Sequence, residues 1–214
     1  MSIEDYIDHT LLHPTATPHD IKILCDEAIQ HGFYAVCVNG CHVALAKNKL
    51  KESSVKIAAV IGFPLGAMST ASKINEAKQC ISDGADEIDM VINIGLIKSM
   101  HYEIVEAEMR DIKKAIGNHI LKVILETCYL TQDEVRMACQ LSLNAKADFV
   151  KTSTGFGTGG ATIDYVKLMK SVVQDKAKIK ASGGIKDRAT AEHYIALGVS
   201  RIGTSSGINI VSKP

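Results

Sequence analysis

Short apolar runs and longer amphipathic segments alternate eight times along this chain, and no other feature of it constrains the fold so tightly. The apolar runs lie at 6–9, 34–38, 56–61, 87–91, 121–126, 148–151, 178–181 and 200–203. Each is followed by a segment of helical periodicity, at 18–31, 42–50, 70–83, 101–116, from 131 onward, 162–173, 187–197 and 205–210. When every strand is followed by a helix, the strands pair in parallel and the helices are the crossovers. Eight such units close a (β/α)8 TIM barrel. The competing arrangement, a doubly wound open sheet, uses the same units without closure. With 214 residues to hold them, the loops must be lean. The 4 prolines and 16 glycines fall at junctions rather than in one tract, so residues 1–214 are expected to form a single domain.

Local signals support several of these boundaries. Thr17 is placed to cap the first helix, with Pro18 at its first helical position, where a missing N–H does no harm. Thr131 with Glu134 spells a capping box. Gly84 and Gly117 stand where two helices must stop.

Side chains alternate faces along a strand, so each barrel strand sends one set to the helices and the other to the interior. In the fourth strand Ile88 and Met90 suit the helix layer, which leaves Glu87 and Asp89 inside. In the fifth, Leu121, Val123 and Leu125 face out, and Lys122, Ile124 and Glu126 face in. Val150 and Ile179 take the helix side of the next two strands and turn Lys151 and Lys180 inward. Four consecutive strands thus deliver Asp89, Lys122, Lys151 and Lys180 to one core. Each charge would cost several kcal/mol if left unpaired there. A structural ion-pair network is one explanation of such a cluster, and chemistry is the other. A buried lysine that sheds its proton can attack a carbonyl and form a Schiff base. Lys151 stands at the break between a strand and the hydroxyl-rich run Thr152-Ser153-Thr154-Gly155. A protonated Lys180 would repel a proton on Lys151, Asp89 would move protons through a water, and Lys122 would hold Asp89 ionised. Thr152 and Ser153 are expected to align substrate oxygens or to satisfy backbone groups.

Two glycine-rich loops close the chain. Ser182-Gly183-Gly184 follows the seventh strand, and Gly203-Thr204-Ser205-Ser206-Gly207 follows the eighth. Loops in those two places make the common phosphate site of such barrels, with Ser205 and Ser206 as hydroxyl donors. Gly155, Gly157 and Gly160 spell a G-x-G-x-x-G. That spacing resembles a dinucleotide fingerprint, but it comes after five earlier units and lacks the acidic residue at the end of the next strand. A flexible loop beside the site, with Gly155 near the phosphate, is the better expectation.

Charge narrows the partners. There are 24 lysines and arginines against 24 aspartates and glutamates, so no bulk field recruits nucleic acid or an anionic membrane. No apolar run is long enough to cross a bilayer. The opening Ser2-Ile3-Glu4-Asp5 does not read as a secretory signal. Six scattered cysteines, at 25, 37, 41, 80, 128 and 139, are expected as reduced thiols in the cytoplasm. Cys37, Cys41 and His42 lack the remaining ligands of a zinc set, and His9 with His13 lacks the glutamate of a metalloprotease motif. No metal is expected, and both of those histidines are expected in loops.

At Ile7-Asp8-His9-Thr10-Leu11-Leu12, Ile61-Gly62-Phe63-Pro64-Leu65-Gly66, Gly84-Ala85-Asp86-Glu87-Ile88-Asp89, Phe149-Val150-Lys151-Thr152-Ser153-Thr154-Gly155 and Lys180-Ala181-Ser182-Gly183-Gly184-Ile185, the sequence resembles the deoxyribose-phosphate aldolases. The resemblance covers nearly the whole chain. It implies a class I aldolase that uses no cofactor, joins acetaldehyde to D-glyceraldehyde 3-phosphate and cleaves 2-deoxy-D-ribose 5-phosphate in reverse. It implies a Schiff base on Lys151, a tuning role for Lys180 and proton donation and acceptance by Asp89. It places Gly155, Gly183, Gly184, Gly203, Ser205 and Ser206 around the phosphate, and it suggests a homo-oligomer, a dimer or a tetramer. Two positions depart from the family. Some members carry a lysine where this chain has Phe156, and some end in a tyrosine that reaches the site, where this chain ends Ile210-Val211-Ser212-Lys213-Pro214. A phosphosugar isomerase on the same barrel would use a carboxylate or histidine base and not need Lys151. A non-catalytic phosphate-binding barrel would need neither Lys151 nor Asp89.

Overall fold

A computed structural model describes residues 2–212; the last two residues of the tail lie outside them. Eight parallel strands form a closed barrel in chain order: β1 Ile7–Leu11, β2 Ala35–Asn39, β3 Lys56–Ile61, β4 Glu87–Val91, β5 Ile120–Ile124, β6 Phe149–Lys151, β7 Lys178–Ser182 and β8 Arg201–Thr204. β8 returns to pair with β1 through Asp8 and Gly203, so the sheet has no free edge. The helices are α1 Pro18–His31, α2 Val43–Leu50, α3 Thr70–Ser82, α4 Ile94–Lys98, α5 Tyr102–Ile116, α6 Gln132–Asn144, α7 Ile163–Val173, α8 Arg188–Ala196 and α9 Gly207–Val211. The open sheet is thereby excluded.

The capping signals operate as their chemistry requires. The Thr17 side chain accepts from the Asp20 N–H, and the Asp20 carboxylate reaches back to the Thr17 N–H. Thr131 and Glu134 exchange the same two bonds at the start of α6. Helix α4 has no counterpart in the expected elements. It is a short helix whose Asn93 cap accepts from the Leu96 N–H, too brief to show a periodic pattern.

Two cores fill the barrel. Ile7, Ile88, Met90, Leu121, Val123, Val150, Ile179 and Ile202 point outward into one continuous apolar layer beneath the helices. Fully burying each aliphatic side chain of this kind is worth about 1.5–3 kcal/mol. The interior holds a much smaller apolar cluster, Leu12, Cys37, Ala58 and Val60, with Phe63 against it. It occupies only the β2–β3 side of the interior.

One inward assignment fails. β5 ends at Ile124, so Glu126 is not a strand residue: its φ of 53° is left-handed, which turns the chain out of the barrel wall. A non-glycine residue there is held against a cost on the order of 1 kcal/mol, so its surroundings must fix it.

Candidate active site

The expected interior charges meet, and two more join them. Asp89 is wholly buried and is the hub. Lys122 donates to its Oδ1 at 2.8 Å, while Lys151 and Lys180 donate to its Oδ2 at 2.8 and 2.9 Å. Strand register makes this possible, because Asp89 lies beside Lys122 and Lys151 beside Lys180. Lys122 also pairs with Glu87, and Lys180 pairs with Asp8 at 2.5 Å. Below them Arg201 joins those two carboxylates, at 2.6 Å from Asp8 Oδ1 and 2.8 Å from Glu87 Oε1. Its guanidinium lies 3.2 Å from the centroid of the Tyr34 ring.

The electrostatics follow from this ladder. Burial resists charge on Asp89, but Lys122, Lys151 and Lys180 outweigh it and hold its carboxyl well below the usual carboxylate range. Burial likewise opposes ionisation of Asp8, yet Lys180, Arg201 and Lys122 bring it down from 3.8 to about 2. Desolvation disfavours the charge on Lys180, but Asp8 and Asp89 overcome it and raise the group above an ordinary lysine. Lys122 is raised in the same way by Asp89 and Glu87. Lys180 and Lys122 are therefore fixed cations. Among the described residues Lys151 has Asp89 as its one carboxylate partner, and that carboxylate is shared with both neighbours.

A cavity of about 510 Å³ opens above the ladder at the C-terminal ends of the strands. Of the three lysines on Asp89, Lys151 alone is part of its lining. Gly155, Gly183, Gly184, Gly203, Ser205 and Ser206 all line it too, so the expected phosphate residues converge on the space that Lys151 enters. Gly183 and Gly184 have φ of 88° and 82°, a left-handed pair that glycine adopts without strain. The lining holds Lys151, Lys186 and His13 and no carboxylate, a composition suited to an anion. Phe156 lines the rim and lies edge-on at 5.3 Å to Phe63, which packs against the interior apolar cluster. Lys186 is thus the exposed cation at a cavity whose other rim carries an aromatic ring.

Thr152 stands apart from the other expected residues. Its hydroxyl donates to the Ser182 carbonyl and accepts from the Ser182 N–H, both at 3.0 Å, so it clips β6 to β7 rather than facing the cavity. The Glu126 carboxylate accepts from the N–H and the hydroxyl of Thr154, and Thr154 Oγ1 accepts from the Phe156 N–H at 2.9 Å. The left-handed turn at Glu126 therefore fixes the loop that presents Gly155. Two of the G-x-G-x-x-G glycines serve packing: a Cβ on Gly157 would lie 2.8 Å from Cys128 Sγ, and one on Gly160 would lie 2.2 Å from the Gly183 carbonyl oxygen. That close approach ties the loop to the Gly183-Gly184 turn.

His9 agrees with the 6–9 strand run and departs from the loop expected of it beside His13. It sits on β1 rather than in a loop, is 3% exposed, and pairs through Nε2 with Glu27 at 2.7 Å. His13 does lie in a loop, against Thr15. Among the described residues no three His, Cys, Asp or Glu side chains converge as metal ligands would. Asp8, Arg201, Lys186 and the clamping role of Glu126 were not anticipated. For Asp8 and Arg201 a signal existed: with Ile7 and Ile202 facing the helices, the strand period turns their neighbours inward.

Comparison with known proteins gives a consistent result. A family model described as DeoC/LacD family aldolase matches residues 3–213. A deoxyribose-phosphate aldolase of Finegoldia magna is 56% identical over 211 residues, covering 99% of this chain and 99% of its own. One of Thermococcus gammatolerans is 54% identical over 215 residues, covering 99% of this chain and 96% of its own. Among solved structures, a deoxyribose phosphate aldolase from Aeropyrum pernix, described as having a unique tetrameric structure, matches with a TM-score of 0.89 and 32% identity, over 97% of this chain and 88% of that one.

Proposed function

The chain belongs to the DeoC/LacD family of aldolases, and from that premise we propose that it is a deoxyribose-phosphate aldolase working through a Schiff base on Lys151. The observation that carries the residue assignment is the position of Lys151. It is the one lysine of the Asp89 cluster that reaches the cavity, while Lys122 and Lys180 are each bound to a second carboxylate.

In this reading the neutral Nζ of Lys151 attacks the acetaldehyde carbonyl carbon, and the alkoxide takes a proton to give a carbinolamine. Loss of water leaves the protonated imine. Removal of a proton from the adjacent methyl carbon gives an enamine, whose terminal carbon bonds to the aldehyde carbon of D-glyceraldehyde 3-phosphate. Water then releases 2-deoxy-D-ribose 5-phosphate and the free amine. Cleavage is the same path reversed. The ionised Asp89, within 2.8 Å of Lys151 Nζ, moves the protons through a water. The Lys180 cation favours the amine form of Lys151 by repulsion, and Lys122 acts as a positioning residue that orients Asp89. Gly155, Gly183, Gly184, Gly203, Ser205 and Ser206 receive the phosphate, with Lys186 supplying charge at the rim.

We take the enzyme to be a homo-oligomer in the cytoplasm acting on small molecules. The tetrameric relative supports the first part, and six cysteines that are all free support a reducing compartment. No helix among the described residues is long and apolar enough to cross a membrane.

Cleavage of 2-deoxyribose 5-phosphate and of free 2-deoxyribose, measured side by side, tests the reading. The phosphorylated sugar should be the far better substrate. Ser205→Asp should lower kcat/KM for it by a larger factor than for the free sugar, because the new carboxylate repels phosphate alone. Equal losses on both sugars would remove the phosphate assignment.

A further inference from the structure

The lower half of the charge ladder, Asp8, Glu87 and Arg201, is not part of the cavity lining, yet it has a definite charge balance. Four cations, Lys122, Lys151, Lys180 and Arg201, face three carboxylates, Asp8, Glu87 and Asp89. The cluster therefore carries one surplus positive charge when every lysine is protonated, and it becomes neutral when one lysine gives up its proton. Buried groups with so little solvent settle on the balanced state. Arg201 cannot release its proton, so the surplus must be met by a lysine. Lys122 and Lys180 each hold a second carboxylate, whereas Lys151 does not.

We propose that Arg201, at the bottom of the barrel and out of reach of the substrate, is a positioning residue that fixes the proton on the ladder: by engaging both Asp8 and Glu87 it makes Lys151 the surplus cation and so keeps it as an amine. The groups that face Lys151 are few enough to name. Asp89 comes from β4, Lys122 from β5, Lys180 from β7 and Asp8 from β1. Buried Cys37 on β2 is held as a thiol, since burial raises it, and β3 presents Ala58 and Val60, with Lys56 on the same face exposed at the strand's start. On the cavity side stand Lys186 and His13, while Glu126 is taken up by Thr154.

Without Arg201 the three lysines match the three carboxylates, and a protonated Lys151 is no longer in surplus. Without Glu87 the surplus doubles. The two changes must act with opposite sign, which a merely structural role would not produce. The inference rests on Lys151 being the nucleophile, so the test carries that control within it.

The experiment is the pH dependence of acetaldehyde trapping at Lys151 with cyanoborohydride, in the wild type, Arg201→Gln, Arg201→Lys and Glu87→Gln, each checked for fold by circular dichroism. Arg201→Gln should move the acid limb of the profile to higher pH by about one unit, and Glu87→Gln should move it lower by a similar amount. Arg201→Lys keeps the charge and should keep the limb within a few tenths of a unit of the wild type, even with lower stability. Failure of the wild type to trap at Lys151 would sink the Schiff-base reading itself. Normal trapping with unmoved limbs, or limbs that move the same way in Arg201→Gln and Glu87→Gln, would overturn the role of Arg201 alone. If Arg201→Gln does not fold, Glu87→Gln decides, and an acid limb that fails to fall overturns the proposal.

Discussion

The two faces of each barrel strand are built on opposite principles. Outside, Ile88, Met90, Leu121, Val123, Val150 and Ile179 join one apolar layer with the helices, where a buried ion pair, Lys73 of α3 with Glu108 of α5 at 2.6 Å, ties helix to helix. Inside, one residue along the same strands, stand Glu87, Asp89, Lys122, Lys151 and Lys180. Exchanging a buried ion network for apolar side chains of similar volume is often neutral or stabilising, so stability does not explain the inner face. The outer face holds the barrel closed, and the inner face holds charges in a state that water would relax. The chemistry we propose therefore sits on the inner face, where stability alone gives no reason for the charges.

Neighbouring positions on one strand can break that comparison. Asp89→Asn should lower turnover by a factor on the order of 10²–10⁴, the usual contribution of a positioned proton carrier. Acetaldehyde trapping at Lys151 should survive in it, because three cations now crowd one another and the amine form is favoured. Steady-state rates beside trapping yields give the answer, and loss of trapping in step with turnover would merge two roles that the geometry separates.

Ile88→Ala, one residue away and facing outward, should do the reverse. It leaves a cavity in the helix-facing layer and should cost about 2–5 kcal/mol of unfolding free energy. Its kcat and pH profile, measured on the folded protein, should stay near wild type. Denaturant unfolding and a pH–rate series together check this. A shifted pH profile in Ile88→Ala would mean that the two faces are not independent.

The smallest effect belongs to the inner face under acid. The Asp8 carboxyl is brought from 3.8 in the unfolded chain to about 2 in the fold. A depressed acid contributes stability that is complete above the unfolded value and is lost as pH falls through the folded one. Asp8 alone should account for a loss of about 2 kcal/mol between roughly pH 4 and pH 2, with Asp89 adding to it in the same direction. Urea unfolding at stepped pH measures the slope, which should flatten in that window for Asp8→Asn.

Much of this contrast was legible in the sequence, and what was missed has a physical pattern. β4 displays its period over five residues, so Ile88 beside Asp89 could be sorted by face, and in the three residues of β6 the apolar Val150 beside Lys151 was enough to sort that pair. Asp8 and Arg201 escaped because each sits near the start of a strand, where a charge reads as a solvated end. Only closure of the barrel, with β8 against β1, puts both under the active site. Glu126 was turned inward by extending the period past Ile124, and a single left-handed residue ended that period without leaving a mark in composition. Thr152 could serve substrate or backbone by sequence alone, and its hydrogen bonds assign it to the backbone. The cavity glycines of the last two loops were easier to place, since they follow the two strands where such barrels commonly bind anions.

The central claim is that, of the lysines gathered around Asp89, only Lys151 makes a covalent bond to substrate. Reduction of the protein with borohydride in the presence of acetaldehyde, followed by peptide mapping, tests it directly. The account predicts one ethyl group per chain, on Lys151, and none in Lys151→Ala that is otherwise folded. An ethyl group on Lys180 or Lys122 instead, or full turnover in Lys151→Ala, would contradict it.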